Sequence, residues 1–199
     1  MLWSTSLIAF LGAYCAGAQT PPSNLPPATT GIFTVQASVI INAPIEKVWN
    51  TLLDFPSYAQ WNPFVRSQVV TSAIWVPLED QTPHENQRLI IQAQIPPLPM
   101  PVDANTHANP LHMQTSFENI TTLDRVQHRA AWRQIFLPKP VLDAERWQAL
   151  SALPGKRTYY ESREVFDGPV GHVVDALFAE GLQAGFDAQA AALKARVEQ

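Results

Sequence analysis

Glu164, His128 and Tyr160 are the side chains that stand out for chemistry. They lie in two segments with a period of two, in which every second side chain shares a face. In Arg125–Leu137, one face carries Val126, His128, Ala130, Trp132, Gln134 and Phe136, and the other carries Gln127, Arg129, Ala131, Arg133 and Ile135. The first set is the more apolar and is expected to face inward. In Arg157–Phe166, Thr158, Tyr160, Ser162, Glu164 and Phe166 share a face that the same argument turns inward. On this phase His128, Gln134, Tyr160, Ser162 and Glu164 are polar groups in apolar surroundings. A carboxylate there is desolvated and its pKa rises, which suits a general acid or base. His128 or Tyr160 could polarise a carbonyl during an aldol-type ring closure. The alternative is structural: Glu164 pairs with an arginine, and His128 is a satisfied core histidine. A one-residue slip in phase reverses every assignment.

Other residues fit a binding wall. Trp61 and Phe64 follow a short helical stretch. Phe117 shares a face with Met113 and Thr115 in a strand over Met113–Asn119, and Leu182 lies on the apolar stripe of the last helix. With Trp132, Gln134, Ser162 and Phe166 they make the expected ligand-binding set. Trp132 and Trp147 would cap or line a ligand, or simply pack.

These residues need elements to hold them. Phe33–Ile41 has the β-branched content of a half-buried strand. From Ile45 the apolar residues recur at three and four, a helical stripe that Pro56 ends. Tyr58 and Trp61 give one apolar face to a brief second turn. Val65–Val76, Arg88–Ile95, Met113–Asn119, Arg125–Leu137 and Arg157–Phe166 read as strands. Ala144–Leu153, with Trp147, Leu150 and Leu153 at helical spacing, reads as a short helix. The Pro-rich stretch 96–110 is a long loop of the kind that often forms a lid or rim. Both are expected to border a cavity mouth. After Asp167-Gly168-Pro169 a long helix begins, its stripe carrying Val174, Leu177, Phe178, Leu182, Phe186, Leu193 and Val197. Gly181 and Gly185 interrupt it at a cost of about 1 kcal/mol each against alanine. They serve either close packing on the sheet or room for a ligand.

Two stretches carry a family resemblance. "ASVIINAPIEKVWNTLLDFPSYAQWNPFVRSQVV" resembles the opening of the polyketide cyclase/dehydrase and lipid transport subfamily of the START-like (SRPBCC, birch-pollen-allergen-like) superfamily. "FDGPVGHVVDALFAEGLQAGFDAQAAALKARVE" is similar to that subfamily's C-terminal helix. The resemblance covers roughly residues 33 to 198. It implies an α+β helix-grip fold, a curved antiparallel sheet wrapped around a long C-terminal helix with an internal apolar cavity. Beside the family's plain hairpin, the helix over 144–153 looks like an insertion. Members include lipid carriers, cyclases, quinone-binding proteins and allergens, so the fold leaves function open. The family shares no single catalytic motif, so no catalytic residue carries over by matching.

Composition bounds the rest. The chain has 199 residues, is 46% hydrophobic and carries a formal charge of −4. That is enough for one domain with a real core. It gives no electrostatic reason to seek nucleic acid or an anionic membrane. Residues 1–18 read as a signal peptide, with an apolar run over Leu7–Leu11 and Ala16-Gly17-Ala18 as the cleavage site, so the protein is expected to be secreted. The run is too short for a membrane span, and stable membrane insertion is not expected. An uncleaved anchor is the alternative. Residues 19–32 are a Pro/Thr-rich linker, disordered or extended, and 33–199 form the domain. Cys15 is the single cysteine, so a cleaved chain has no disulfide and no thiolate site. His107 and His112 make a weak metal pair, and no metal or cofactor motif is present. Asn119-Ile120-Thr121 is a glycosylation sequon.

The functional expectation is binding of a hydrophobic small molecule, a polyketide-like or isoprenoid intermediate that the protein folds or cyclises. Confinement alone can promote ring closure. The second reading is a non-catalytic carrier or store for a lipid, sterol or quinone. A third is a secreted interaction protein that uses the fold's surface, which a cavity filled by bulky side chains would favour.

Overall fold

The computed structural model describes residues 21–199. The expected signal peptide, its expected cleavage site and Cys15 lie outside them. Seven strands run in chain order: β1 Phe33–Ile41, β2 Val65–Thr71, β3 Arg88–Gln94, β4 Met113–Asp124, β5 Arg129–Gln134, β6 Asp143–Leu153 and β7 Arg157–Asp167. They form one antiparallel sheet in the order β1-β7-β6-β5-β4-β3-β2. Helix α1, Ile45–Leu53, and a 3-10 turn over Phe55–Gln60 bridge β1 to β2. Helix α2, Pro169–Val197, follows β7. Gly168 sits at φ 87°, in the left-handed region, and a Cβ there would lie 2.7 Å from the Val141 carbonyl oxygen. Glycine is therefore required where the chain turns into α2.

The core lies between the sheet, α1 and the second half of α2. Trp49, Leu52, Phe55, Tyr58, Leu89, Ile120, Leu150, Phe186 and Leu193 are buried in it. The first half of α2 is less covered. Leu177, placed on the buried stripe by its spacing, is 67% exposed.

On each edge strand one residue is paired by a glutamine side chain. The Gln183 carboxamide of α2 donates to the Gln36 carbonyl of β1 at 2.7 Å and accepts from its N–H at 3.2 Å. Gln81 does the same to Val70 of β2, at 3.1 and 2.8 Å. Each side chain stands in for a neighbouring strand, which blunts edge pairing with other chains.

Four expectations change. Ala144–Leu153 is strand β6, not a helix, and β6–β7 is a plain hairpin with no insertion. Its inward positions are Ala144, Arg146, Gln148 and Leu150, all buried. Two of the four are polar, so the apolar alternation of a strand is hidden, and the helix-favouring residues Ala, Glu, Arg, Gln and Leu yield to pairing on both sides. The strand expected over Arg125–Leu137 begins only at Arg129. The Asp124 carboxylate accepts from the Val126 and Gln127 N–H groups at 2.9 and 2.8 Å, which makes a turn of this stretch. The strand expected to reach Val76 ends at Thr71. In β4 the buried residues are Glu118 and Ile120, so Phe117 belongs to the opposite face.

The Pro/Thr-rich segment is an extended strap from residue 21 onward, lying on the outer face of the sheet. Asn24 donates through Nδ2 to the carbonyls of Gln127 and Leu150, both at 2.7 Å, and through its N–H to Glu161 at 2.9 Å. Its Oδ1 accepts from Arg129 Nε and Nη2 at 3.0 and 2.7 Å. Arg163 Nη2 donates to the Pro26 carbonyl at 2.6 Å.

Candidate active site

Between the concave face of the sheet and the first half of α2 lies a cavity of about 440 Å³. That volume is in the range of drug-sized ligand sites, about 300–1,000 Å³. Phe64, Ile91, Ile95, Trp132, Leu142, Phe166, Val174, Phe178 and Leu182 supply apolar walls. Phe136, 74% exposed, stands at the rim with Leu137 on the β5–β6 turn. The cavity is open space rather than bulk side chains, so the feature that would favour the surface-interaction reading is not found there.

The two interrupting glycines belong to this architecture. A Cβ on Gly185 would lie 2.4 Å from Phe64 Cδ2, and one on Gly181 would lie 2.7 Å from Ile95 Cγ2. Both neighbours are cavity walls. Close packing is the reason for these glycines, and what packs against them is the binding wall itself.

Three charged side chains line the apolar space: Glu118 of β4, Arg146 of β6 and Glu164 of β7. Alternation places each on the inner face. Arg146 is 5% exposed. Its Nε donates to Ser162 Oγ and its Nη2 to Gln189 Oε1, both at 3.1 Å. Its guanidinium carbon lies 4.0 Å from the Phe186 ring centroid and 5.6 Å from that of Phe64, a cation–π arrangement in a desolvated setting. Among the described residues no carboxylate comes within ion-pair distance of it.

Ser116 donates to Glu118 Oε1 at 2.5 Å. Burial pushes the Glu118 carboxyl up to about 7, against the opposing pull of Ser116 and Arg146. Glu164 is pushed up to about 8, first by burial and then by the charge of Glu118, with Arg146 acting the other way. The pair therefore holds protons near neutral pH that ordinary carboxylates lose. One carboxyl can donate while the other accepts, beside a fixed positive charge.

The expected site residues divide. Glu164, Phe64, Trp132, Phe166 and Leu182 line the cavity. Gln134 also lines it, but its carboxamide is engaged by the β5–β6 turn. It donates to the carbonyls of Leu137 and Leu142 and accepts from the Leu137 N–H at 3.1 Å. Phe117 also lines the cavity, at its rim, with its ring between Trp75 and Phe136 at 4.9 and 5.8 Å. Tyr160 and Ser162 point inward but lie in the wall. The Tyr160 hydroxyl donates to Gln148 Oε1 at 2.6 Å, and burial raises its pKa. Ser162 is held by Arg146. Trp61 packs on Tyr58 at 5.0 Å, away from the cavity. Trp147 is on the outer face and donates to Glu145.

His128 is outside the cavity altogether. It occupies the β4–β5 turn at φ 53°, with Nε2 3.0 Å from Glu46 Oε1 and its ring edge-on to Trp49. The alternation that placed it inward does not extend into a turn. Asn119 is half-buried within β4, between Arg88 and Arg133 on the flanking strands. The 96–110 loop touches the cavity only through its neighbour Ile95. Arg66 ties it down by donating to the Asp103 and Thr106 carbonyls at 2.9 and 3.1 Å.

Glu118 and Arg146 escape the sequence reading. A single slip of phase in β4 hides the first, and the helical reading of β6 hides the second. A charged residue at a strict strand period, Arg146 or Glu118, is the signal that could have found both.

The model of the family described as polyketide cyclase/dehydrase and lipid transport matches residues 33–198. No curated protein matches the sequence. Similar solved structures include a START superfamily protein from Mycobacterium smegmatis, 20% identical, covering 83% of this chain and 97% of that one with a TM-score of 0.53. A protein from Thermus thermophilus is 16% identical, covering 83% and 97%, with a TM-score of 0.55. The Zhui aromatase/cyclase from Streptomyces sp. R1128 is 18% identical, covering 83% and 93%, with a TM-score of 0.51. At these identities they show a shared fold.

Proposed function

Because the chain belongs to the polyketide cyclase/dehydrase and lipid transport family, we propose that it binds a hydrophobic, carbonyl-bearing small molecule, polyketide-like or isoprenoid, and moves protons on it during ring closure. The observation that carries this reading is the trio Glu118, Arg146 and Glu164 lining one apolar cavity. The ionised member of the carboxyl pair takes a proton from the carbon next to a ligand carbonyl. Arg146 stabilises the enolate oxygen that develops, a role a desolvated guanidinium performs well. The enolate carbon then bonds to a second carbonyl carbon, whose π electrons move onto its oxygen, and the neutral carboxyl protonates the alkoxide that forms. Loss of that hydroxyl with a proton as water completes a dehydrative cyclisation. The apolar wall holds the ligand folded for the step.

The test uses 2-tetralone, a hydrophobic ketone, in D2O. Wild-type protein is expected to accelerate exchange of the protons next to the carbonyl, read by NMR. Glu164→Gln is expected to slow this exchange by roughly a hundredfold, the usual scale of acid–base catalysis. Binding of 2-tetralone without accelerated exchange would leave the protein a carrier and reject the proton-transfer reading.

A further inference from the structure

Five buried side-chain nitrogens among the described residues have no hydrogen-bond partner: those of Trp49, Asn62, Gln68, Gln148 and Arg163. Only Gln68 among them belongs to a residue that lines the cavity. Gln68 is 3% exposed and sits on the inner face of β2, paired with Ile91 of β3, whose own partner on β4 is Ser116. Its carboxamide nitrogen has no protein partner, and the residue lines the cavity. Buried donors are nearly always paired, so an orphan at a binding wall points to a partner supplied by the ligand.

Its position separates it from the charged trio. Along the sheet, β2 is two strands from Glu118 on β4 and four strands from Arg146 on β6. At about 4.8 Å per strand these are separations of roughly 10 and 19 Å along the curved face. The four-strand separation of Gln68 and Arg146 favours two ligand oxygens over one shared oxygen.

Resting on the cavity reading above, we propose that Gln68 is a second recognition point for ligand oxygen, so that the cavity selects an elongated apolar molecule oxygenated at two separated positions. The carboxamide reads the far oxygen while the trio reads the near one.

Two probes of one shape test this: 4-hydroxybiphenyl, with one oxygen, and 4,4′-dihydroxybiphenyl, with one at each end. Binding is read by quenching of tryptophan fluorescence, since Trp132 lines the cavity. Wild type is expected to prefer the dihydroxy probe by about tenfold, the scale of one hydrogen bond. Gln68→Leu is expected to remove that preference and to keep 4-hydroxybiphenyl within about twofold of wild type. Gln68→Met, closer in length, repeats the comparison should the leucine variant fail to fold. An unchanged preference in the folded variant overturns the proposal while the cavity reading stands. If wild type binds neither probe, the cavity reading falls and this inference with it.

Discussion

Arg146 and Glu164 are direct partners in the register of β6 and β7, yet the guanidinium donates to Ser162 and Gln189 instead. A carboxylate beside an arginine ordinarily ionises readily. Here burial outweighs the arginine, and Glu118 adds its own repulsion. The carboxyl pair is therefore poised around neutrality.

That poise has a stability signature. Both carboxyls titrate from 4.5 in the unfolded chain to about 7 and about 8 in the fold. Between these values the unfolded chain binds fewer protons than the native one, so stability falls as pH rises. The contribution is complete below about 4.5 and lost as pH climbs through 7 to 8. Urea unfolding at a series of pH values should show this decline, and the double variant Glu118→Gln/Glu164→Gln should flatten it. A rise in stability over the same window for wild type would contradict the arrangement.

Arg146→Met should raise both carboxyl pKa values further, because Arg146 is the charge that lowers them. Infrared difference spectra of the protonated carboxyl band, followed against pH, would measure the shift. Fold stability should fall by about 1–3 kcal/mol, since the change leaves the buried Ser162 and Gln189 oxygens without their donor. A downward shift in either carboxyl would refute the assignment.

Gly185→Ala and Gly181→Ala should differ, although each gains about 1 kcal/mol in helix propensity. At Gly185 the new methyl meets the ring of buried Phe64, at 2.4, 2.7 and 2.8 Å from three of its carbons. Overpacking of that kind costs about 1–3 kcal/mol, so a net loss is expected, with weaker ligand binding because Phe64 is a wall. At Gly181 the single close contact is Ile95 Cγ2 at 2.7 Å, with the Pro96 backbone at an ordinary 3.5 Å, and Ile95 is only half-buried, so a smaller loss is expected there than at Gly185. Thermal unfolding of the two variants decides this, and equal effects would count against it.

Gln183→Ala should leave the Gln36 N–H and carbonyl of β1 unpaired by protein. Loss of about 1 kcal/mol is expected, along with faster concentration-dependent aggregation as an edge is uncovered. Light scattering against protein concentration checks the second effect, and a variant that scatters like wild type would show the edge to be protected by other means.

The frame was legible because most strands carry apolar side chains inward. Phe33–Ile41, Arg88–Ile95 and Arg157–Phe166 alternate visibly, and α1 and α2 show helical stripes. The same logic placed Glu164 at the cavity. It failed where the inner face is polar. Arg146 and Gln148 give β6 the look of a surface helix, and Glu118 is out-voted by Phe117 in β4. The residues that equip the cavity are thus the ones that obscure their own strands. His128 failed for a different reason, since alternation cannot be extended through the turn that Asp124 organises.

The strap on the back of the sheet fixes where the chain enters the domain. Asn24 is pinned beside Gln127 and Leu150, at the β4–β5 end of the sheet, whereas the rim residues Phe136 and Leu137 lie at the β5–β6 end. From Asn24 the strap climbs past Arg163 to meet Phe166 and enter β1. The strap therefore runs from the pole opposite the rim, at Asn24, to the rim end, where it joins β1 beside Phe166.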